Sequence, residues 1–157
     1  MNKMVDIEVI LDEKYADPKI TIHTKTRSKI VEDIIDAIEN TSGTEFPMVP
    51  GISGEKVELL SQRDIVRVYT SGRKLIIQTD QNSYFSTKTL SKVEEILNPD
   101  RFIRISQSEI INIRKVKNFE IKLAGTIGIV FENGEQTWVS RSRVKNIKAI
   151  LKKYNET

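Results

Sequence analysis

Apolar and polar residues alternate along much of the chain at the two-residue spacing of β-strands. Near the N-terminus, Val5, Ile7, Val9 and Leu11 alternate mostly with acidic residues, which predicts a strand with one buried face. Residues 19–24 predict a second, shorter strand after the Asp17-Pro18 break. Apolar residues then follow at helical spacing, namely Ile30, Val31, Ile34, Ile35 and Ile38. These elements predict a small ββα module over residues 1–45, whose helix begins after Ser28 and ends at Thr41-Ser42-Gly43.

The remainder of the chain predicts a larger domain dominated by strands. Residues 46–56 hold two prolines and two glycines and predict a linker. The strands predicted after it are Val57–Leu60, Ile65–Thr70, Leu75–Thr79, Tyr84–Phe85, Phe102–Ile105, Ile110–Ile113, Phe119–Leu123 and Thr126–Phe131. Helical spacing predicts a short helix from Leu90 and an amphipathic C-terminal helix from Val144. The predicted fold is mainly β, α+β overall: an antiparallel β domain over residues 57–157 with a C-terminal helix.

Three predicted turns carry polar or basic side chains. Ser71–Lys74 forms a basic hairpin tip, and Ser106–Glu109 lies where two strands turn. Ser140–Arg143 lies where a strand gives way to the C-terminal helix. Asn133-Gly134 predicts a further hairpin with a type I′ turn. Polar side chains held on stiff elements are suited to contact the base edges and phosphates of a nucleic acid.

Composition narrows the class of protein. With 157 residues, 38% of them apolar, the chain can bury one ordinary core. The absence of cysteine excludes disulfides, thiol catalysis and zinc–thiolate sites. No apolar run approaches the roughly 20 residues of a membrane span, and residues 1–12 carry acids where a signal peptide carries bases. We therefore expect a cytoplasmic protein that does not insert into a membrane.

Charge is distributed unevenly along the chain. Residues 1–50 contain 6 Lys and Arg against 10 Asp and Glu, whereas the remainder contains 19 against 12. A contrast of this kind often separates a part that binds nucleic acid from a part with another role. The N-terminal module is accordingly predicted to mediate dimerisation, through Ile34, Ile35 and Ile38 or a strand edge, or to receive a signal from an unknown protein regulator.

The segments FIRISQSEIIN (Phe102 to Asn112) and WVSRSRV (Trp138 to Val144) carry a family resemblance. Their order and spacing resemble F-x-R-x-H-x-S-x-x-V-N and x-V-S-R in the LytTR DNA-binding domain of bacterial transcription regulators. The resemblance covers residues 57–153 and implies sequence-specific binding of double-stranded DNA. It also implies a homodimer on promoter repeats. The N-terminal module is too short for the receiver domain that often precedes such domains, so we expect the stand-alone form.

The resemblance also implies roles for individual residues. The base-reading positions it implies are Gln107, Arg141 and Arg73. The predicted phosphate or backbone contacts are Lys74, Arg104, Ser106, Ser108, Arg114, Lys115, Ser140, Arg143 and Lys145. One departure is Ser106, where the family usually has His, with Gln107 next to it where Arg, Lys or Asn is common. Since Gln can bind adenine through two hydrogen bonds, the departure concerns which sequence is read.

Other interpretations of these residues remain open. Gln107 and Arg141 are also what an ordinary exposed turn contains, and each basic residue is as well explained as a solvated charge. The same scaffold would also serve a protein-interaction adaptor, or a binder of RNA or single strands. A single-strand binder needs exposed aromatics beside its basic residues. The aromatics predicted to lie in the core are Tyr69, Tyr84, Phe85, Phe102, Phe119, Phe131 and Trp138.

Catalytic and metal-binding patterns are weak. His23 is the only histidine and has no spaced partner, and Asp12, Glu13 and Asp17 lack the glycine and spacing of a calcium loop. No glycine-rich phosphate loop or nucleophile motif occurs. We therefore predict neither enzymatic activity nor a cofactor or metal. Asn112 is predicted to hold a backbone turn, and Ser140 to cap the last helix with its hydroxyl.

Overall fold

The structure is a computed structural model that describes residues 5–42 and 46–155. Its helices are α1 (Lys29–Ser42), α2 (Leu90–Ile96) and α3 (Val144–Asn155). Its strands are β1 (Val49–Ser53), β2 (Lys56–Leu60), β3 (Ile65–Ser71), β4 (Lys74–Thr79), β5 (Ser83–Ser86), β6 (Phe102–Ser106), β7 (Glu109–Asn112), β8 (Val116–Ile121), β9 (Ile127–Phe131) and β10 (Gln136–Trp138). The mainly β fold with a C-terminal helix is confirmed.

All ten strands pair with antiparallel neighbours in two sheets. The main sheet has seven strands in the order β2-β1-β5-β4-β3-β7-β6, and the small sheet has the order β10-β9-β8. A tight turn at Gly54 joins β1 to β2, and another at Gly72 joins β3 to β4. The backbone at these glycines has φ of 60° and 63°. A positive φ at the first central residue of a two-residue hairpin is that of a type II′ turn, which glycine adopts without steric cost.

Each face of the main sheet borders its own hydrophobic core, because successive strand side chains point to opposite faces. One core packs Val68, Ile77 and Ile110 against α2 through Leu90 and Val93. The other core packs β3, β6 and β7 against the small sheet and α3, through Val66, Ile105, Ile111, Ile129, Phe131 and Ile147. Fully burying side chains of this size stabilises the fold by about 1.5–3 kcal/mol each.

The two strands predicted near the N-terminus are wrong. The structure gives residues 5–28 no strand, and the side chains of Val5, Ile7, Val9 and Leu11 are 54% to 92% exposed. Alternation supplies an apolar edge, but a strand also needs a partner, and this chain packs none against the segment. Helix α1 is confirmed at Lys29–Ser42. Its predicted stop at Gly43 lies outside the described residues.

Much of the segment predicted to be a linker belongs to the main sheet. β1 and β2 form a hairpin in which Ser53 pairs with Lys56, and β1 also pairs with β5 at Ile52. Gly51 lies beneath two side chains, since a Cβ there would be 2.8 Å from atoms of Leu60 and Tyr84. Glycine is required here for close packing rather than flexibility, which is why glycine content was misleading.

The hairpin predicted at Asn133-Gly134 is confirmed, but its turn type is wrong. Gly134 has φ of 89°, and no non-glycine residue in the described part of the chain has positive φ. The Gly134 amide donates to the Phe131 carbonyl at 2.9 Å. A type I turn followed by a left-handed glycine therefore replaces the type I′ turn, which needs positive φ at both central residues.

The predicted burial of the aromatic residues holds only in part. Tyr84, Phe102 and Phe131 are buried, whereas Phe85 is 45% and Trp138 53% exposed. Tyr69 and Phe119 are half-buried. The Trp138 ring packs over its strand partner Gly128, whose missing side chain leaves room for it. Strand alternation alone does not reveal which faces of the two sheets are covered.

Candidate nucleic-acid interface

Backbone hydrogen bonds join the three polar turns at one end of the molecule. The Thr70 amide donates to the Ser108 carbonyl at 2.9 Å, which links the end of β3 to the β6–β7 turn. The Ser140 amide donates to the Ile105 carbonyl at 2.9 Å, which links the start of the last turn to the end of β6. We name the three turns, 71–74, 106–109 and 140–143, the polar edge. Four strand spacings of about 4.8 Å make it about 20 Å long.

The first turn of the polar edge is the β3–β4 hairpin tip. Register pairing of Ser71 with Lys74 leaves Gly72 and Arg73 as the two loop residues. Arg73 is exposed, and its side chain forms no hydrogen bond or ion pair with any residue that the structure describes. The Lys74 ammonium lies 4.7 Å from the centre of the Phe85 ring. Lys74 is thereby oriented by a cation–π contact while it remains exposed.

The β6–β7 turn is held by its own side chains and by Arg104. The Ser106 hydroxyl accepts from the Ser108 amide at 3.1 Å. Arg104 donates to the carbonyls of Ser106 at 3.0 Å and Gln107 at 2.6 Å, and to the Glu94 carboxylate of α2 at 3.0 Å. The Gln107 side chain is exposed and is bonded to none of the described residues. The guanidinium that was expected to reach a phosphate thus holds the turn that presents Gln107.

The third turn connects β10 to α3 as a short 3₁₀ turn, Arg141–Arg143. The Ser140 carbonyl accepts from the Arg143 amide at 2.9 Å. Its hydroxyl forms no cap bond and lies 3.3 Å from the Ser142 hydroxyl, so the predicted hydroxyl cap is wrong. Arg141 and Lys145 are exposed and Arg143 is half-buried. Within the described part of the chain, the Arg141 guanidinium has no hydrogen-bonding or ionic partner.

Arg114 and Lys115 lie away from the polar edge, beyond the opposite end of β7. Arg114 donates to the carboxylates of Glu32 at 2.9 Å and Asp36 at 2.6 Å in α1. Lys115 forms an ion pair with Asp80. Both side chains were expected to contact phosphates, and both instead pair with carboxylates of the same chain. The structure therefore does not bring them together with Gln107 and Arg141.

An ionic contact between α1 and the β domain was missed from the sequence. Besides Arg114, Arg101 donates to Glu39 at 2.7 Å and pairs with Asp36. Glu32, Asp36 and Glu39 stand at helical spacing and form one acidic stripe on α1. That stripe is visible in the sequence, but nothing in the sequence identifies the two arginines that flank the β6–β7 hairpin as its partners.

Asn112 has the structural role predicted for it. It is fully buried, its amide donates to the Ile65 carbonyl at 2.8 Å, and its Oδ1 accepts from the Arg114 amide at 3.0 Å. These bonds tie the end of β7 to the start of β3 and to the following 3₁₀ turn. The β6–β7 hairpin is consequently fixed at its far end as well as at the polar edge.

A second network, also missed, locks the small sheet onto the main sheet. Arg67 donates to Gln78 at 2.8 Å, Glu109 at 3.2 Å and Glu135 at 2.9 Å. The Thr137 hydroxyl of β10 donates to Glu109 at 2.7 Å. These bonds place β10, and hence the turn that follows it, at a fixed position relative to β7. The network thus supports the spacing between Gln107 and Arg141.

The exposed ionic groups of the polar edge are cations. Arg73, Lys74 and Arg141 are exposed, whereas Glu109 is already bonded to Arg67. Lys145, just beyond the edge in the first turn of α3, is also exposed. Such a row of positive donors can bind the phosphates of a polyanion. The described residues include no group of three side chains able to hold a metal ion. Among those same residues, no helix has the length and apolar character needed to cross a membrane.

The β domain matches known proteins in sequence and in fold. Residues 55–152 match the family described as the LytTr DNA-binding domain. The chain belongs to the LytTR family. A solved LytTr DNA-binding domain of a response regulator from Bacillus cereus aligns with a TM-score of 0.64 at 20% identity. The alignment covers 67% of this chain and 96% of that chain, so the LytTR fold extends over most of the β domain.

Curated relatives resemble a large part of the chain. The transcriptional regulatory protein LytR of Staphylococcus aureus strain N315 is 32% identical over 116 residues, which cover 73% of this chain and 47% of LytR. The sensory transduction protein LytT of Bacillus subtilis strain 168 is 24% identical over 147 residues, which cover 94% of this chain and 61% of LytT. The chain thus spans about half to three-fifths of the length of these relatives.

Proposed function

We propose that this LytTR protein regulates transcription by binding double-stranded DNA sequence-specifically through the polar edge. The observation that carries the proposal is the alignment of three turns by backbone hydrogen bonds, with Gln107 and Arg141 exposed and unbonded among the described residues. Because the backbone of these turns is already ordered by the sheet, binding costs little backbone ordering, which favours selective contacts. The names of LytR and LytT, as regulatory and sensory transduction proteins, support a role in regulation.

The spacing of the turns supports contacts of Gln107 and Arg141 within one groove. They lie about one and a half strand spacings apart, or about 7 Å, which is within a major groove about 12 Å wide. Arg73 lies about 17 Å from Arg141 by the same measure and reaches beyond that groove. Gln107 is suited to adenine and Arg141 to guanine, because each can form two hydrogen bonds with that base.

The remaining polar groups of the edge, and Lys145 beside it in α3, are assigned to the DNA backbone. Cations and hydroxyls bind phosphates without reading sequence and set the position of the protein on the duplex. The residues assigned to this role are Lys74, Ser106, Ser108, Ser140, Arg143 and Lys145. Arg104 is reassigned to holding the β6–β7 turn, and Arg114 and Lys115 to contacts within the chain. Two copies on paired repeats of a promoter complete the proposed assembly.

Fluorescence-anisotropy titrations test this function. The protein is titrated against the duplex upstream of its own gene and against a shuffled duplex of equal composition, at two salt concentrations. A DNA reader prefers the native duplex at both, since base contacts persist when salt weakens phosphate contacts. Equal and steeply salt-sensitive binding to both duplexes contradicts the proposal and favours an adaptor. Preference for unpaired strands contradicts it in favour of a single-strand binder.

A further inference from the structure

Part of one face of the main sheet is apolar, and none of the described residues covers it. The small sheet packs on this face only over β3, β6 and β7, and the Arg67–Glu135 contact marks its border. Beyond that border, strand pairing aligns four apolar side chains in one row across β2, β1, β5 and β4. The residues of this row are Val57, Ile52, Phe85 and Ile76. We name the row, together with Leu59, the open face.

The open face is apolar enough to be an interaction surface. Val57 is 65%, Leu59 63% and Phe85 45% exposed. Ile52 and Ile76 are half-buried. Burying apolar surface contributes about 25 cal/mol per Å², so a contiguous row of such residues gains substantially from being covered. Monomeric proteins seldom expose rows of this kind without a partner. The small sheet already covers the other half of the same face in this way.

The segment Val5–Leu11 is a second uncovered apolar surface in the same chain. Its alternating apolar side chains are largely exposed, and in a strand conformation they would form one continuous edge. The intervening residues include Asp6 and Glu8, and residues 5–17 carry five carboxylates against one lysine. The segment therefore has the pattern of a strand that packs one side on a sheet and leaves acids on the other.

Charge selects this segment as the occupant of the open face. The ionic side chain next to Phe85 on the open face is Lys74, and Arg73 is exposed in the adjoining turn. A second open face packed against the first would bring two identical lysines together, which is unfavourable. The acidic segment instead brings a net negative charge close to these cations, although its carboxylates point away from the sheet. Complementary charge therefore favours the segment over face-to-face packing of two sheets.

We infer that the open face binds the segment Val5–Leu11 of a second copy of this chain. The single chain leaves its own segment off its own open face, as the exposure of Val5 to Leu11 demonstrates. Helix α1 is meanwhile held at Arg101 and Arg114, away from the open face. In a reciprocal exchange, the segment of each copy covers the open face of the other copy, which gives a closed two-fold dimer. The inference concerns the free protein and does not depend on sequence-specific DNA binding.

Analytical ultracentrifugation of the full chain tests the dimer. Ile7→Ser with Val9→Ser alters the segment, and Val57→Ser with Leu59→Ser alters the open face. Because all four side chains are exposed in the single chain, the fold should remain intact, which thermal unfolding of diluted samples verifies. We expect wild-type dimers and at least a tenfold weaker dimer for either variant. Leu123→Ser, which alters an exposed leucine of the β8–β9 turn, is the control and should dimerise normally.

Disulfide trapping identifies which chain supplies the segment. The sequence contains no native cysteine, so every disulfide must form between the introduced residues. A chain with Ile7→Cys is mixed with a larger, tagged chain carrying Val57→Cys, and the mixture is oxidised. The inference predicts a mixed covalent dimer, and little of it when Leu123→Cys replaces Val57→Cys. A third chain carries both Ile7→Cys and Val57→Cys. Three results overturn the inference: a monomeric wild-type protein, equal trapping by the control, or an internal disulfide in this third chain without covalent dimers.

Discussion

The amide of Ser140 donates a hydrogen bond to the carbonyl of Ile105, with 2.9 Å between nitrogen and oxygen. This bond attaches the turn that carries Arg141 to β6 one residue before the strand ends, next to the turn that carries Gln107. Gln107 and Arg141 are more than thirty positions apart in sequence, and a backbone hydrogen bond rather than a flexible side chain sets the spacing of their turns. The proposed base readout depends on that spacing.

Replacing Arg104 with Ala should show whether this residue stabilises the β6–β7 turn or binds a phosphate. The substitution removes the donors to Ser106 and Gln107, so the turn loosens and preference for the native duplex falls. The slope of log affinity against log salt should stay unchanged, because no phosphate contact is lost. Lys145→Ala is the matched comparison and should reduce that slope by about 0.9. Salt-dependent anisotropy measures both, and a smaller slope for Arg104→Ala would restore its assignment to a phosphate.

Replacing Arg114 with Ala should destabilise the protein and leave DNA binding unchanged. The change removes the Arg114 hydrogen bonds to Glu32 at 2.9 Å and Asp36 at 2.6 Å. The two carboxylates keep their ion pairs with Arg27 and Arg101. For partly buried groups of this kind we expect a loss of about 1–3 kcal/mol in the free energy of unfolding. Urea denaturation measures it. Lys122→Ala, which removes an exposed pair with Glu120, should cost at most about 0.5 kcal/mol.

An Arg114→Ala protein that kept its stability but lost affinity for DNA would contradict this assignment. It would mean that the guanidinium leaves α1 to bind a phosphate. The polar edge would then have to extend around the far end of β7. Equal DNA affinity, with lower stability, is the result that the observed contacts predict.

Replacing Gly51 with Ala tests whether the segment before β2 is part of the folded domain. A new Cβ would lie 2.8 Å from atoms of Leu60 and Tyr84 within the sheet, so packing must shift. We expect a loss of about 1–3 kcal/mol, as for other overpacked cores. Thermal or urea denaturation measures it, with Ser53→Ala at an exposed position of β1 as the control. A true linker would tolerate both substitutions equally.

Sequence patterns predicted elements whose partners are near in sequence and failed where the partner is distant. The β6–β7 hairpin and helix α2 were predicted because turn residues and spacing determine them locally. The strand predicted at Val5–Leu11 has the same alternation, but its state depends on a partner surface that no local pattern specifies. Gly51 was misread because close packing and flexibility both select glycine.

The candidate site was predicted as three turns but not as one surface. Family resemblance selected Gln107 and Arg141, and only the structure brings their turns together. Basic residues at the surface look alike in sequence whether they bind a phosphate or a carboxylate of the same chain. Arg104 and Arg114 differ from Lys145 through contacts with Glu94 and Glu32, and the last contact spans 82 positions.

The most direct test of the central claim is the specificity ratio of the Arg141→Ala and Gln107→Ala proteins. The ratio of affinities for the native and shuffled duplexes is measured by anisotropy at fixed salt, with Lys117→Ala on the outer strand β8 as a matched exposed control. Each base-reading substitution should lower the free-energy preference for the native duplex by about 1–3 kcal/mol. The ratio of affinities should then fall roughly 5-fold to 150-fold. The control should leave it unchanged. Wild-type ratios in both base-reading variants would contradict the claim that the polar edge reads DNA sequence.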